Sequence, residues 1–212
     1  MKSSVSMAAQ QYGQEPDQEQ ESEQEMSEIL QEDARYAIEH GILVSNLSYY
    51  VAEKLGCDET FCRQMAMTGM LHDIGKLRLS RYIYGRQKNT LHVEEVKYVR
   101  MHSGFSYDIL KSMGFEEPVL SAVYHHHENY DGSGYPDNLK GEDIPLGARI
   151  IRTCDVYAAL VSTRPYRKAF DTDTAMELMI DEVKNFDMRV FLAFEEVVHT
   201  IDPERLKHNK LF

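Results

Sequence analysis

Five histidines and two aspartates are the residues of this chain whose types and spacing could do chemistry. His72 stands eleven residues after Phe61, about three helical turns, and so shares a face with Phe61, Met65 and Gly69. Asp73 follows it directly. Adjacent helical residues point about 100° apart, so a carboxylate there can reach past the histidine and bridge two ions. An aspartate on an apolar face is costly unless it is paired or metal-bound. Asp155 is in the same situation, with Ile151 and Ala158 on its face. His126 shares a face with Val119, Ala122 and Val123, and His127 stands four residues after Val123. His125 follows Ser121 and points outward, so the triplet predicts two ligands and one bystander. His102 lies among Tyr98, Val99, Phe105 and Ile109, and His40 among Ala37, Val44 and Leu47. A single core histidine is usually a hydrogen-bonded packing residue. Gathered in one helical core, these groups would be a cluster of buried polar atoms with nothing to offset desolvation. Imidazole and carboxylate without thiolate suit a pair of transition metals. Such a pair lowers the pKa of a bridging water and clamps a phosphoryl group.

The elements that must position these side chains are helices. Leu30, Ala34, Ala37, Ile38, Gly41, Val44, Leu47, Val51 and Leu55 recur at mostly three- and four-residue steps, which predicts one long helix from Ser27, closed by Gly56. Further helices are predicted over Glu59 to Leu71, Val93 to Lys111, Pro118 to His126, Leu146 to Ser162 and Met188 to His199. Another starts after Asp171, with Thr174 and Glu177 at capping-box spacing. The run Asp131-Gly132-Ser133-Gly134-Tyr135-Pro136 can only be a loop. No segment alternates with period two. The expectation is an all-α fold with about seven main helices in one domain, 27–212, behind an acidic Gln/Glu-rich tail, 1–26, that is disordered or a frayed helix.

Composition narrows the function. The 212 residues hold 23 Lys+Arg against 35 Asp+Glu, a net charge of −12. Residues 1–33 carry nine of those acids and one base, Lys2. Duplex nucleic acid and membrane surfaces need a basic face, so neither is expected as a partner. A small phosphorylated substrate remains open, because bound metal supplies local positive charge. No run of about 18 apolar residues is present, nor an apolar signal core, so the chain reads as cytoplasmic. Cys57, Cys62 and Cys154 make no disulfide framework and read as buried or partly buried thiols.

Leu71-His72-Asp73-Ile74-Gly75-Lys76 resembles the HD signature of metal-dependent phosphohydrolases. His126-His127-Glu128 followed by Asp131 to Pro136 resembles the signature of the HD-GYP subfamily, and Ile144-Pro145, Ala148-Arg149-Ile150, Asp155-Val156-Tyr157 and Arg164-Pro165-Tyr166-Arg167 continue the match. The resemblance covers His40 to Phe194. It implies a helical phosphodiesterase that opens the bacterial messenger cyclic di-GMP. Residue by residue, it implies one metal on His40, His72, Asp73 and Asp155, and another on Asp73, His102, His126 and His127, with iron or manganese as the pair. A hydroxide between the ions would attack phosphorus in line. Lys76 would reach the phosphate or that hydroxide, and its plain alternative is a helix-end cation. Gly134, Tyr135 and Pro136 would lie beside the substrate. Arg164 and Arg167 would be phosphate clamps, whereas two arginines after a helix are by themselves usually surface residues or dipole partners. Glu128 reads as a loop-fixing acceptor.

Two departures stand out. Some relatives carry a glutamate one turn before the first histidine and bind a third metal there. This chain has Tyr36 at that position, so two metals are expected, with pGpG as the main product. Relatives commonly read Asp-Ala-Leu where this chain has Ala158-Ala159-Leu160, which removes an acid near the metals. Two alternatives stand beside the leading reading: an HD-type phosphohydrolase acting on another nucleotide, and a weakly active adaptor that binds cyclic di-GMP. Regulation would come through a protein partner or a homodimer.

Overall fold

The computed structural model describes residues 18–79, 93–163 and 167–207. The tail up to residue 17 and Arg164 lie outside the described residues. Among the described residues the chain is helical, without a strand ladder, as the sequence predicts.

Helix α1 spans Gln18–Lys54 and begins nine residues before the expected boundary. Glutamine and glutamate are good helix formers, and the acidic stretch continues the period of the helix behind it. Along the part of α1 whose burial is described, from residue 31, burial begins at His40. Val44, Leu47 and Val51 are fully buried, whereas Ala34, Ala37 and Ile38 of the same predicted stripe are exposed. Periodicity marks the apolar side of a helix but not whether another element lies against it. Gly56 closes α1 at φ +80°, the left-handed region.

Helix α2 (Glu59–Leu71) is capped by Asp58, which accepts from the Phe61 amide at 2.8 Å. A 3₁₀ turn follows at Ile74–Leu79. The single helix expected from Val93 to Lys111 is two: α3 (Val93–Arg100) and α4 (His102–Ser112), separated at Met101. Helix α5 (Glu117–His125) carries Pro118 in its first turn, and α6 (Leu146–Val161) crosses the core. Helix α7 (Thr172–Asp181) is capped by Asp171, which accepts from the Thr174 amide at 2.9 Å, so the cap lies three residues ahead of the Thr174–Glu177 pair. Helix α8 (Met188–Thr200) is capped by Asp187, and α9 (Pro203–Lys207) ends the described chain. Each such cap contributes about 1 kcal/mol.

The main core joins α1, α2, α5, α6, α7 and α8 through Val44, Leu47, Met65, Ala122, Ile150, Met179 and Phe194. A smaller cluster of Leu110, Val119, Leu120 and Val123 fastens α4 to α5. Arg149 on α6 makes an ion pair with Asp187, tying α6 to the start of α8. Ala158 is fully buried in the main core. No helix among the described residues is long and apolar enough to cross a membrane.

Candidate metal centre

The seven predicted ligands come from five places in the chain and meet at one point. His40 sits on α1, His72 and Asp73 at the C-terminal end of α2, and His102 in the first turn of α4. His126 and His127 stand at the end of α5, and Asp155 stands on α6. His40, His72, His102 and His126 are buried.

Two ligand groups share one carboxylate. Asp73, His102, His126 and His127 form one, and His40, His72 and Asp73 form the other. Asp73 Oδ1 lies 3.2 Å from His102 Nε2, and its Oδ2 lies 3.4 Å from His72 Nε2. Asp155 completes the second group, with Oδ1 at 3.0 Å from His40 Nε2 and 3.7 Å from His72 Nε2.

The ring nitrogens show why this is a cation site. Nδ1 of His72, His102 and His126 lies within 2.8, 2.6 and 2.6 Å of the carbonyls of Gly69, Val99 and Val123. Those carbonyls can only accept, so each Nδ1 carries a hydrogen, and each ring in its neutral form turns an Nε2 lone pair inward. Yet His102 Nε2 lies 3.2 Å from His126 Nε2 and 3.0 Å from His127 Nε2. Converging lone pairs at that distance repel unless a cation lies among them. His72 Nε2 and Asp73 Oδ1 are buried without a hydrogen-bond partner. A nitrogen and oxygen donor set of this kind fits divalent iron, manganese or zinc, and carbonyl-anchored imidazoles are what metal ligation requires.

Charge agrees with geometry. Burial alone would raise the carboxyl of Asp73, but His72, Lys76 and His102 hold it well below the ordinary carboxylate range. His40 and His72 do the same for Asp155. Burial lowers His127 to about 3, with His102 and Arg152 acting in the same direction. His126 is also pushed well down, by burial and by the neighbouring imidazoles. These groups are therefore in the ionisation states that bind metal. His72 is pushed up to about 10 against its burial, by Asp73 and Asp155, so a metal ion bound there would displace a proton.

His125 turns away. Its Nδ1 faces the Ser121 carbonyl at 2.9 Å and its Nε2 meets Asp137 at 3.1 Å. Glu128 accepts from the Asp137 amide at 2.7 Å and fixes the loop. Gly134 is buried against the chain it follows. A Cβ there would meet the Asn129 nitrogen at 2.2 Å and the His127 carbonyl oxygen at 2.5 Å. Its part is thus close approach, which lets Tyr135 stack on His127 with ring centroids 4.7 Å apart. Pro136 joins Tyr135 along an open groove of about 880 Å³, also lined by Arg100, Tyr107 and Tyr124.

The predicted cations divide. Lys76 lies in the 3₁₀ turn and pairs with Asp73. Arg167 donates to the carbonyls of Ala159 and Leu160 at 2.7 and 3.0 Å and covers Phe170. Nη1 and Nη2 of Arg167, expected as part of a phosphate clamp, are thus turned to the C-terminal end of α6, as a dipole partner's would be. Two arginines missed by the sequence reading stand nearer. Arg100 lies over the Tyr135 ring at 4.9 Å. Arg152 lies one turn before Asp155 on α6, and its Nε donates to Asn129 at 3.0 Å. Helical phase alone could have found Arg152, because it stands three residues from a ligand.

The chain's similarity to known proteins follows this geometry. A family model described as HD domain matches residues 18–190. Over 135 residues, 63% of this chain, it is 38% identical to the cyclic di-GMP phosphodiesterase response regulator RpfG of Xanthomonas campestris. It is 34% identical over 170 residues, 80% of this chain, to the cyclic di-GMP phosphodiesterase PA4108 of Pseudomonas aeruginosa. It is 32% identical over 168 residues, 78% of this chain, to the 3'3'-cGAMP-specific phosphodiesterase 1 of Vibrio cholerae. The matched parts are 35%, 41% and 39% of those proteins, so the chain spans well under half their length. Among solved structures, Bd1817, an HDG"Y"P protein from Bdellovibrio bacteriovorus, matches with a TM-score of 0.61 at 20% identity, over 77% of this chain and 52% of that one. At that identity the likeness is one of fold. The chain belongs to the HD domain family, and its loop from Gly134 to Pro136 places it on the HD-GYP branch.

Proposed function

We propose that this chain is a metal-dependent phosphodiesterase that opens cyclic di-GMP, chiefly to pGpG. The observation that carries this reading is Asp73, one carboxylate common to two groups of inward-facing ligands. On it, His40, His72, Asp73 and Asp155 hold one divalent ion, and Asp73, His102, His126 and His127 hold the other, with iron or manganese as the pair. Bound there, such ions supply an activated water and positive charge for the phosphoryl oxygens.

The protein's own residues do the rest. Asp73 and Asp155 stay ionised because their cationic and imidazole neighbours outweigh burial. Lys76 balances charge on Asp73. Tyr135, stacked on His127, closes one side of the cleft and borders the groove where the remainder of a dinucleotide fits. The RpfG and PA4108 names support cyclic di-GMP as the substrate.

A second reading, a 3'3'-cGAMP phosphodiesterase, is favoured by the Vibrio cholerae relatives that carry that name. The deciding experiment assays anaerobically purified protein, loaded with Fe(II) or Mn(II), against cyclic di-GMP, 3'3'-cGAMP and cyclic di-AMP. Cyclic di-GMP should be cleaved with the highest kcat/KM. Preference for 3'3'-cGAMP would move the assignment to the second reading, and no turnover of any of the three would overturn both.

A further inference from the structure

A cyclic dinucleotide carries two phosphates in one ring, and only one can lie on the metal centre while it is cut. The other remains a buried or half-buried anion at the rim and needs its own donors. Of the cations that the sequence offered for this task, Arg164 lies outside the described residues, Lys76 is on Asp73, and Arg167 is on the end of α6.

Arg152 is differently placed. It stands on α6 one turn before Asp155, on the face that meets the metal centre. Its Nε is fixed by Asn129 Oδ1 at 3.0 Å. Asn129 in turn donates to Ser133 Oγ at 3.0 Å, and Ser133 to Asp131, so the loop that carries Tyr135 also aims the guanidinium. Among the described residues no carboxylate comes within salt-bridge distance of Arg152, and neither Nη has a hydrogen-bond partner. It is only partly exposed, and burial lowers its pKa from the usual arginine value, against the pull of Asp155 and Tyr135. A half-buried arginine without an ion pair carries a desolvation cost that a bound anion would offset. Its planar fork is the donor geometry that matches phosphate oxygens in pairs.

We propose that Arg152, held by Asn129, is the clamp for the phosphate that is not being cut, and so favours cyclic dinucleotides over simple phosphodiesters. This rests on the phosphodiesterase reading above. The test compares two substrates on the same Mn(II)-loaded full chain: cyclic di-GMP, with two phosphates, and bis(p-nitrophenyl) phosphate, with one. Arg152→Gln should lower the ratio of their kcat/KM values at least tenfold, chiefly through KM for cyclic di-GMP. Arg152→Lys should recover part of that loss, because it keeps the charge and loses the fork. Calorimetric binding of a phosphorothioate analogue of cyclic di-GMP should weaken in parallel. A ratio that stays within twofold in Arg152→Gln overturns the clamp, whether both activities hold or both fall together. Failure of the underlying reading looks different: the unsubstituted chain would cleave bis(p-nitrophenyl) phosphate but neither cleave nor bind a cyclic dinucleotide. That outcome removes the clamp's ligand and overturns both.

Discussion

The backbone of Gly75 lies directly against that of His102: a Cβ on Gly75 would meet the His102 carbonyl oxygen at 2.1 Å. The Gly75 amide also donates to Ser106 Oγ at 2.8 Å. This contact docks the turn after Asp73 onto the first turn of α4, and so sets the distance between two ligands from separate helices.

Gly75→Ala should therefore separate Asp73 from His102. Relief of the clash requires α4 to shift, at a cost of about 1–3 kcal/mol. The variant should melt at lower temperature and lose the ion held by His102, His126 and His127 before the other. Elemental analysis with a thermal melt checks this; full metal content in a stable variant would refute it.

The histidine triplet should respond unevenly. His125→Ala removes the ring's contacts with the Ser121 carbonyl, Tyr124 and Asp137, none of them a predicted ligand, and should leave metal content intact. His126→Ala and His127→Ala should each lose an ion, because each removes an inward lone pair. Loss of a metal from His125→Ala alone would mean that the ligands have been assigned one residue out of register.

Metal number and product are linked. Tyr36 stacks on His40 with centroids 5.7 Å apart, where a carboxylate could serve a third ion. Two ions per chain are expected, and pGpG should accumulate before GMP, because its new terminal phosphate adds negative charge that a third cation would neutralise. Tyr36→Glu should speed the second cut. A chromatographic time course showing GMP from the start, with no pGpG, would contradict this.

Arg149 belongs to the match with the family yet works far from the metals. Removing it leaves Asp187 charged and buried, so Arg149→Met should cost about 3 kcal/mol in urea unfolding. Arg149→Met with Asp187→Asn should recover much of that, since asparagine keeps the cap on the Arg189 amide. No recovery would mean that the ion pair is not the source of the loss.

The thiols should be inert. Burial pushes Cys62 up to about 11 and Cys154 to about 12, and raises Cys57 as well. All three are then protonated at pH 7.5, and reactivity should rise only as pH climbs well above that. Iodoacetamide labelling at pH 7.5 should be slow in the folded protein and fast in guanidinium; rapid native labelling would contradict the assignment.

The sequence by itself determined the helical class, the seven candidate ligands and the loop at Gly134, Tyr135 and Pro136. Each follows from local pattern: apolar period 3.6, polar residues on apolar faces, and glycine with proline where a helix cannot continue. It did not show the break at Met101, because no proline marks it and the backbone there keeps helical angles, φ −73° and ψ −12°. It did not show that α1 is uncovered at Ile38, because burial depends on what lies opposite. Only the tertiary structure decided the use of the arginines. Arg167 is committed by the carbonyls of Ala159 and Leu160, and Arg152 is aimed by Asn129, twenty-three residues away. A charged side chain's role is set by the groups that reach it through space, and a local pattern does not contain them.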